Sequence, residues 1–134
     1  MSLTRPPPDQ CITTTTATIW LDPRGFVVVD QVPRALQTWE TAAEMLHATR
    51  KALPGDAPIA VLVLSNESRT DRGGRRAFAE IGGKQNACVA LVVQSKVSEV
   101  TGNFFLRINK PPYPMRLFDD VEEAAEWAAT HVVR

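Results

Sequence analysis

The sequence has few cysteines and no excess of charge of either sign. Its 134 residues include two cysteines, Cys11 and Cys88, too few for a disulfide framework or a four-cysteine zinc site. Fifteen Lys and Arg residues balance fifteen Asp and Glu residues, so the chain lacks the cationic surplus that nucleic-acid binders use to neutralise phosphates. We therefore expect no nucleic-acid partner, no metal site and no cofactor.

Long hydrophobic runs are also missing. The longest apolar stretches lie near residues 26–29, 59–64 and 88–93, far below the ~20 residues of a membrane-spanning helix. The first ten residues contain three consecutive prolines and no apolar core, so they do not resemble a signal peptide. We expect a flexible tail over residues 1–12, one domain over residues 13–134 and a cytoplasmic location. Hydrophobic residues make up 44% of the chain, enough to bury a core.

Short β-branched and apolar runs alternate with segments of helical periodicity. Runs at 15–21 and 26–29 flank the turn residues 22–25 and predict an antiparallel hairpin. Further strands are predicted at 59–64, 87–93 and 115–118, and helices at about 35–53, 72–81, 95–108 and 121–132. This order predicts one α/β domain, with a mixed, mostly parallel sheet, an N-terminal antiparallel hairpin and about four flanking helices.

Several strings in the last third of the chain are familiar. They are Ala90-Leu91-Val92-Val93-Gln94-Ser95-Lys96-Val97-Ser98, Gly102-Asn103-Phe104-Phe105-Leu106, Asn109-Lys110-Pro111-Pro112-Tyr113-Pro114 and Arg116-Leu117-Phe118-Asp119. With the element order, they make the chain resemble the STAS-like domains, the fold of bacterial anti-sigma-factor antagonists. The resemblance is strongest to a subfamily of small stand-alone bacterial proteins of unknown function. It implies a mixed sheet flanked by helices and a non-enzymatic, protein-binding role.

The chain departs from the antagonists at one functional motif. Those proteins carry a phosphorylatable Ser or Thr within Asp-Ser-Ser-Gly or Asp-Ser-Thr-Gly, where the second core strand meets its helix. Here the junction reads Ser65-Asn66-Glu67-Ser68-Arg69-Thr70-Asp71-Arg72-Gly73-Gly74, which lacks that motif. The resemblance therefore transfers no phosphorylation site to this chain.

The loops that follow the parallel strands are rich in small polar residues. Ligands usually bind α/β sheets outside the carboxyl ends of the strands, so we treat this strand crest as a candidate binding site. Ser and Asn also cap helices, and capping is the competing interpretation. The candidate residues are Ser65, Asn66, Ser68, Thr70, Gln94, Ser95 and Lys96.

Two further groups are candidate interaction surfaces. One dense basic cluster, beside two glycines, could bind an anion or an acidic partner, although a solvated helix face explains it too. The cluster comprises Arg69, Arg72, Arg75 and Arg76.

Phe104 and Phe105 cannot both face inward from one helix, so Phe105, with Tyr113 and Met115, is a candidate apolar partner surface. Alternatively, the loop that follows covers Phe105.

No nucleophile, acid–base pair or metal-ligand spacing stands out, so no catalytic residue is assigned. The leading hypothesis is a STAS-like regulatory or protein-interaction module that binds a protein partner or forms a homodimer. The alternative is a small-ligand or lipid-binding domain related to CRAL-TRIO lipid-transfer domains, with an apolar pocket bordered by Phe104 and Phe105. An unrecognised enzyme ranks third.

The charges are unevenly distributed along the chain. Residues 69–76 hold four arginines and one acid, whereas residues 119–126 hold five acids and no base. Separate basic and acidic patches of this kind favour self-association or a charged protein partner.

Overall fold

The computed structural model describes residues 3–94 and 111–133. The strands in these ranges are β1 (Ile12–Thr13), β2 (Ala17–Leu21), β3 (Val27–Gln31), β4 (Leu36–Gln37), β5 (Ile59–Leu64), β6 (Arg69–Thr70), β7 (Asn86–Val92) and β8 (Met115–Phe118). The α-helices are α1 (Trp39–Ala52), α2 (Arg72–Glu80), α3 (Gly82–Gln85) and α4 (Val121–Thr130), and a short 3-10 helix (Pro8–Gln10) precedes β1. The predicted helix at 95–108 lies outside the described residues.

Six strands form one sheet in the order β1-β2-β3-β5-β7-β8. β1, β2 and β3 pair antiparallel, whereas β3, β5, β7 and β8 pair parallel. β4 and β6 form a separate two-stranded parallel sheet. The predicted hairpin and the predicted fold class, a mixed and mostly parallel sheet with flanking helices, are confirmed.

Helices cover the two faces of the large sheet. Alternate side chains of a strand point to opposite faces of the sheet. The consecutive residues Val27, Val28 and Val29 are all buried, so both faces are covered at β3. Helix α4 packs on one face through Ala124, Ala125 and Ala128, whose small side chains permit close approach. Helix α1 packs on the other face, where Met45 and Ala48 contact the sheet core, and its outer side contacts α2.

Two predicted element boundaries were wrong. The helix expected from Ala35 begins at Trp39, because Thr38 and Thr41 form a capping box in which each hydroxyl accepts a hydrogen bond from the other residue's amide. Residues 36–37 form β4 instead. The sequence also predicts that the second helix ends at Gly82. Instead, α2 ends at Glu80, and after Ile81 the residues Gly82–Gln85 form the short helix α3.

The N-terminal segment contacts the large sheet. Leu3 and Cys11 pack against the core on the α4 face. The guanidinium of Arg5 lies 5.5 Å from the ring centroid of Trp20 and forms an ion pair with Asp30. The flexibility expected for residues 1–12 stays a prediction.

Candidate functional site

Asn66 connects the carboxyl ends of three parallel strands. Its side-chain amide donates to Asp30 Oδ1 at 2.9 Å and to the carbonyl of Gln31 at 2.6 Å, both at the end of β3. Its side-chain oxygen, Oδ1, accepts a hydrogen bond at 2.8 Å from Nε2 of Gln94, a residue just after β7. Gln94 Oε1 in turn accepts from the backbone amide of Asn66 at 3.1 Å and from Ser65 Oγ at 3.3 Å. Asn66 therefore joins the polar side chains of the strand crest to one another.

The loop that carries Asn66 is a tight turn. The amide of Ser68 donates to the carbonyl of Ser65 at 2.9 Å, and the two central residues, Asn66 and Glu67, have φ angles of 47° and 60°. Positive φ at both central positions is typical of a type I′ turn. Asn tolerates this left-handed conformation better than most residues, which explains its use here.

Only some of the predicted crest residues come together. Ser65 is buried, and Ser65, Asn66 and Gln94 bond one another as described above. Ser68 and Thr70 are half-buried and follow along the chain, Thr70 within β6. Ser95 and Lys96 lie outside the described residues. The binding role of these residues stays a prediction.

A buried polar network beneath the crest was missed in the sequence. Gln37 is 0% exposed. Its Nε2 donates to Gln31 Oε1 at 2.7 Å and to Thr16 Oγ1 at 3.1 Å, while its Oε1 accepts from Thr41 Oγ1 at 3.0 Å. The network ties β4 to the large sheet and to α1. The sequence does not indicate this network, because the helix predicted at about 35–53 includes Gln37.

A second turn displays apolar side chains beside the crest. The Ala35 amide donates to the Val32 carbonyl at 3.1 Å, and Arg34 has a φ of 57°. With Pro33 before Arg34, these features are typical of a type II turn. Val32 and Leu36, on either side, are 49% and 47% exposed. Neither residue is a predicted interaction site, because apolar side chains next to strands normally enter the core.

The four arginines of the basic cluster have different surroundings. Arg75 donates to the carbonyl of Thr70 at 3.1 Å. The Arg76 guanidinium lies 4.7 Å from the ring centroid of Trp39. Arg69 and Arg72 are exposed, and neither forms an ion pair within the described residues.

We use the name crest surface for the exposed apolar and cationic residues beside the strand crest. The backbone connects its two segments, because the Arg34 amide donates to the Asn66 carbonyl and the Arg69 amide to the Ala35 carbonyl, both at 2.8 Å. Residue Leu36 pairs with Arg69 across the small sheet. The crest surface comprises Val32, Arg34, Leu36, Arg69 and Arg72.

Tyr113 and Met115, the described members of the predicted apolar surface, are half-buried. Both pack against the core on the α1 face. The Tyr113 hydroxyl donates to the carbonyl of Phe78 at 3.5 Å, and burial raises its pKa. Phe105 lies outside the described residues, as does Phe104, so the partner surface and the ligand pocket predicted around them stay predictions.

The cysteines and histidines do not converge. Cys88 is fully buried, and burial raises the pKa of its thiol to about 11, which keeps it protonated at neutral pH. Cys11 is half-buried near the N-terminus, and His131 lies against the ring of Trp127. Within residues 3–94 and 111–133, no group of three His, Cys, Asp or Glu residues could hold a metal ion.

Two open grooves flank α1, away from the crest. Their volumes are about 610 and 560 Å³, and both are lined by Trp39 and His47. Charged side chains line much of each groove, including Arg50 and Glu80 in the first and Glu44 in the second. Such polar, open grooves do not match the apolar pocket that the small-ligand hypothesis requires.

Comparison with solved structures confirms the STAS-like resemblance. The chain is similar to the crystal structure of an uncharacterised protein from the DUF3478 family, with a SpoIIAA-like fold, from Shewanella loihica PV-4. The TM-score is 0.61 at 19% identity, and the match covers 87% of this chain and 98% of that one. At this identity the likeness shows the fold alone.

Comparison of the sequence with family models identifies the family to which the chain belongs. A search of the curated proteins finds no significant match. In the described part of the chain, no helix is both long and apolar enough to cross a membrane. The family model described as "Domain of unknown function (DUF7793)" matches residues 19–132. Because this match spans most of the sequence, the chain belongs to the DUF7793 family.

Proposed function

We propose that this protein is a non-catalytic interaction module of STAS-like fold that self-associates through its crest surface. The observation that carries the proposal is the exposure of Val32 and Leu36, at 49% and 47%, beside three exposed arginines. The buried centres of protein–protein interfaces are more apolar than the rest of the protein surface, and Arg is enriched in interfaces. Burying one valine and one leucine in each copy would supply part of the association free energy.

Hydrogen bonds inside the crest support the proposal, because they hold the crest surface in place. The amide groups of Asn66 and Gln94 are engaged with each other and with neighbouring strands. The Gln37 network beneath them is also paired. Polar groups engaged in this way hold a surface in one conformation, which lowers the entropic cost of binding.

We also propose that the protein acts in the cytoplasm and needs no cofactor. Both cysteines are free thiols, as expected of proteins kept in a reducing compartment. Cys88 is buried with a raised pKa, so its thiol is poorly suited to nucleophilic chemistry. We therefore place the protein in the cytoplasm, acting by association and without a bound group.

Sedimentation equilibrium over a range of concentrations tests the proposal. The unmodified chain should form a dimer reversibly, and Leu36→Gln should weaken it by at least about tenfold, since each dimer loses two buried leucines. Leu21→Gln is the matched control, because Leu21 is 43% exposed but lies at the opposite end of the sheet. A monomer at every concentration, or equal weakening by Leu21→Gln, would contradict the proposal.

A further inference from the structure

The cations of the crest surface lack acidic partners within the described residues. Arg34, Arg69 and Arg72 are all exposed, and the ion pairs of the described chain involve other arginines. Arg72 lies in the first turn of α2, where the helix macrodipole disfavours a cation. A carboxylate from outside this fold would therefore improve the electrostatics of the surface.

The start of α4 carries the opposite charge. Asp120 caps the helix, its Oδ1 accepting from the Glu123 amide at 3.1 Å. Asp119, Glu123 and Glu126 are exposed, and residues 119–130 contain no Lys or Arg. The macrodipole favours acids in the first turn, but Glu126 lies beyond that turn and gains little from it. We call Asp119, Asp120, Glu123 and Glu126 the acidic patch.

The sheet places these two surfaces at the same edge. β5 leads into the segment that carries Arg69 and Arg72, and β8 leads into Asp119. β5, β7 and β8 are parallel neighbours, so their carboxyl ends lie at one edge. Two strand spacings, about 10 Å, separate the ends of β5 and β8. Towards α2, the three exposed arginines outnumber the exposed acids of the same segment, Glu67 and Asp71, so this edge has a net positive charge there and a net negative charge towards α4.

We propose that a second copy of this chain docks edge to edge, with the carboxyl-end edges of the two sheets facing each other, so that the crest surface of each copy contacts the acidic patch of the other. A two-fold axis perpendicular to the strands, lying just beyond their carboxyl ends and midway between the two surfaces, brings opposite charges together twice. Such a contact is isologous and closes as a dimer. Val32 and Leu36 are then covered at the contact, and the surrounding ion pairs fix the orientation.

This inference rests on the self-association proposed above and adds its geometry. The test uses two charge-reversed chains, Arg69→Glu/Arg72→Glu and Asp119→Lys/Glu123→Lys. The side chains are exposed and the Asp120 cap is kept, so both chains should fold. Each variant alone should dimerise at least about tenfold more weakly than the unmodified chain, because like charges then face each other. An equimolar mixture should form a heterodimer, since the introduced acids of one variant then face the introduced lysines of the other, and the unmodified crest surface faces the unmodified acidic patch at the second contact.

Lys51→Glu/Lys84→Glu is the matched control for the first variant. It causes the same change in net charge, but Lys51 lies in the last turn of α1 and Lys84 precedes β7, both at the opposite end of the sheet. This control should dimerise as the unmodified chain does. Circular dichroism verifies that every variant is folded. Raising the salt from about 0.1 M to about 1 M should also weaken the unmodified dimer, a measurement that needs no substitution.

Three results would overturn the proposed geometry. In the first, the unmodified chain dimerises but neither charge-reversed chain nor salt weakens it; the self-association would then stand and its edge-to-edge geometry would fall. In the second, both variants weaken and their mixture does not recover. In the third, the chain stays monomeric while Arg69 and Arg72 are needed to bind a polyglutamate peptide, which would favour an acidic protein partner and contradict self-association as well.

Discussion

Replacing Gln37 with leucine should destabilise the fold although it leaves almost no cavity. Leucine is close to glutamine in volume but removes the side-chain hydrogen bonds of Gln37, including those donated to Gln31 Oε1 at 2.7 Å and Thr16 Oγ1 at 3.1 Å, and that accepted from Thr41 Oγ1 at 3.0 Å. Gln37 is 0% exposed, so the lost contacts lie in the interior. The effect should therefore come from the partners that are left behind.

The magnitude follows from the burial of those partners. Gln31 and Thr16 are 6% and 7% exposed, so water has little access to either side chain. An unsatisfied buried polar group costs about 1–3 kcal/mol, which gives about 2–6 kcal/mol for the two. Burying leucine in place of glutamine returns about 1–2 kcal/mol. At the midpoints of these two ranges, we expect a net loss of roughly 2–3 kcal/mol in the free energy of unfolding.

Urea unfolding followed by tryptophan fluorescence measures this loss. Gln31→Leu/Gln37→Leu should be less destabilised than the sum of the two single variants, because it leaves fewer polar groups unpaired. A coupling of at least about 1 kcal/mol is expected in the double-mutant cycle. If Gln37→Leu unfolds within about 0.5 kcal/mol of the unmodified chain, the network does not stabilise the fold as argued.

Two further predictions concern packing and pH. A Cβ at Gly74 would lie 2.4 Å from the Gln37 carbonyl oxygen and 2.8 Å from Thr70 Cγ2, so Gly74→Ala should cost about 1–3 kcal/mol in urea unfolding. Gly73→Ala, whose Cβ would meet nothing closer than 3.2 Å, should cost less, and equal losses would refute this. The pKa of Cys88 rises from 9.0 to about 11 on folding, so the unfolded chain releases this proton first and stability should fall between those pH values. Cys88→Ala should remove that part of the slope in thermal melts, and an unchanged slope would refute the assignment.

The sequence predicted the elements whose signals are local. Asp22-Pro23-Arg24-Gly25 between two β runs predicted the hairpin, and the unbroken apolar run at Ile59–Leu64 predicted a strand covered on both faces. The pair β4–β6 was missed because two-residue strands carry no measurable period. Its formation depends on contacts between segments far apart in sequence, such as the hydrogen bonds that the Arg69 amide donates to the Ala35 carbonyl and the Asp71 amide to the Gln37 carbonyl.

The crest was predictable in part. Parallel strands bring their carboxyl ends to one edge, so Ser65, Asn66 and Gln94 could be expected to lie close together. Which groups bond one another could not be predicted, because that depends on the turn conformation of Asn66. The exposure of Val32 and Leu36 was equally hidden, since hydropathy favours burial of both.

Concentration-dependent NMR of the unmodified chain tests the central claim most directly. Backbone amide spectra recorded over a dilution series identify the residues whose environment changes on association. Association through the crest surface and the acidic patch should produce shifts or line broadening at Leu36, Arg69 and Asp119, with the exposed Leu21 at the opposite end of the sheet unaffected. Spectra that do not change with concentration, or changes centred on Leu21, would contradict it.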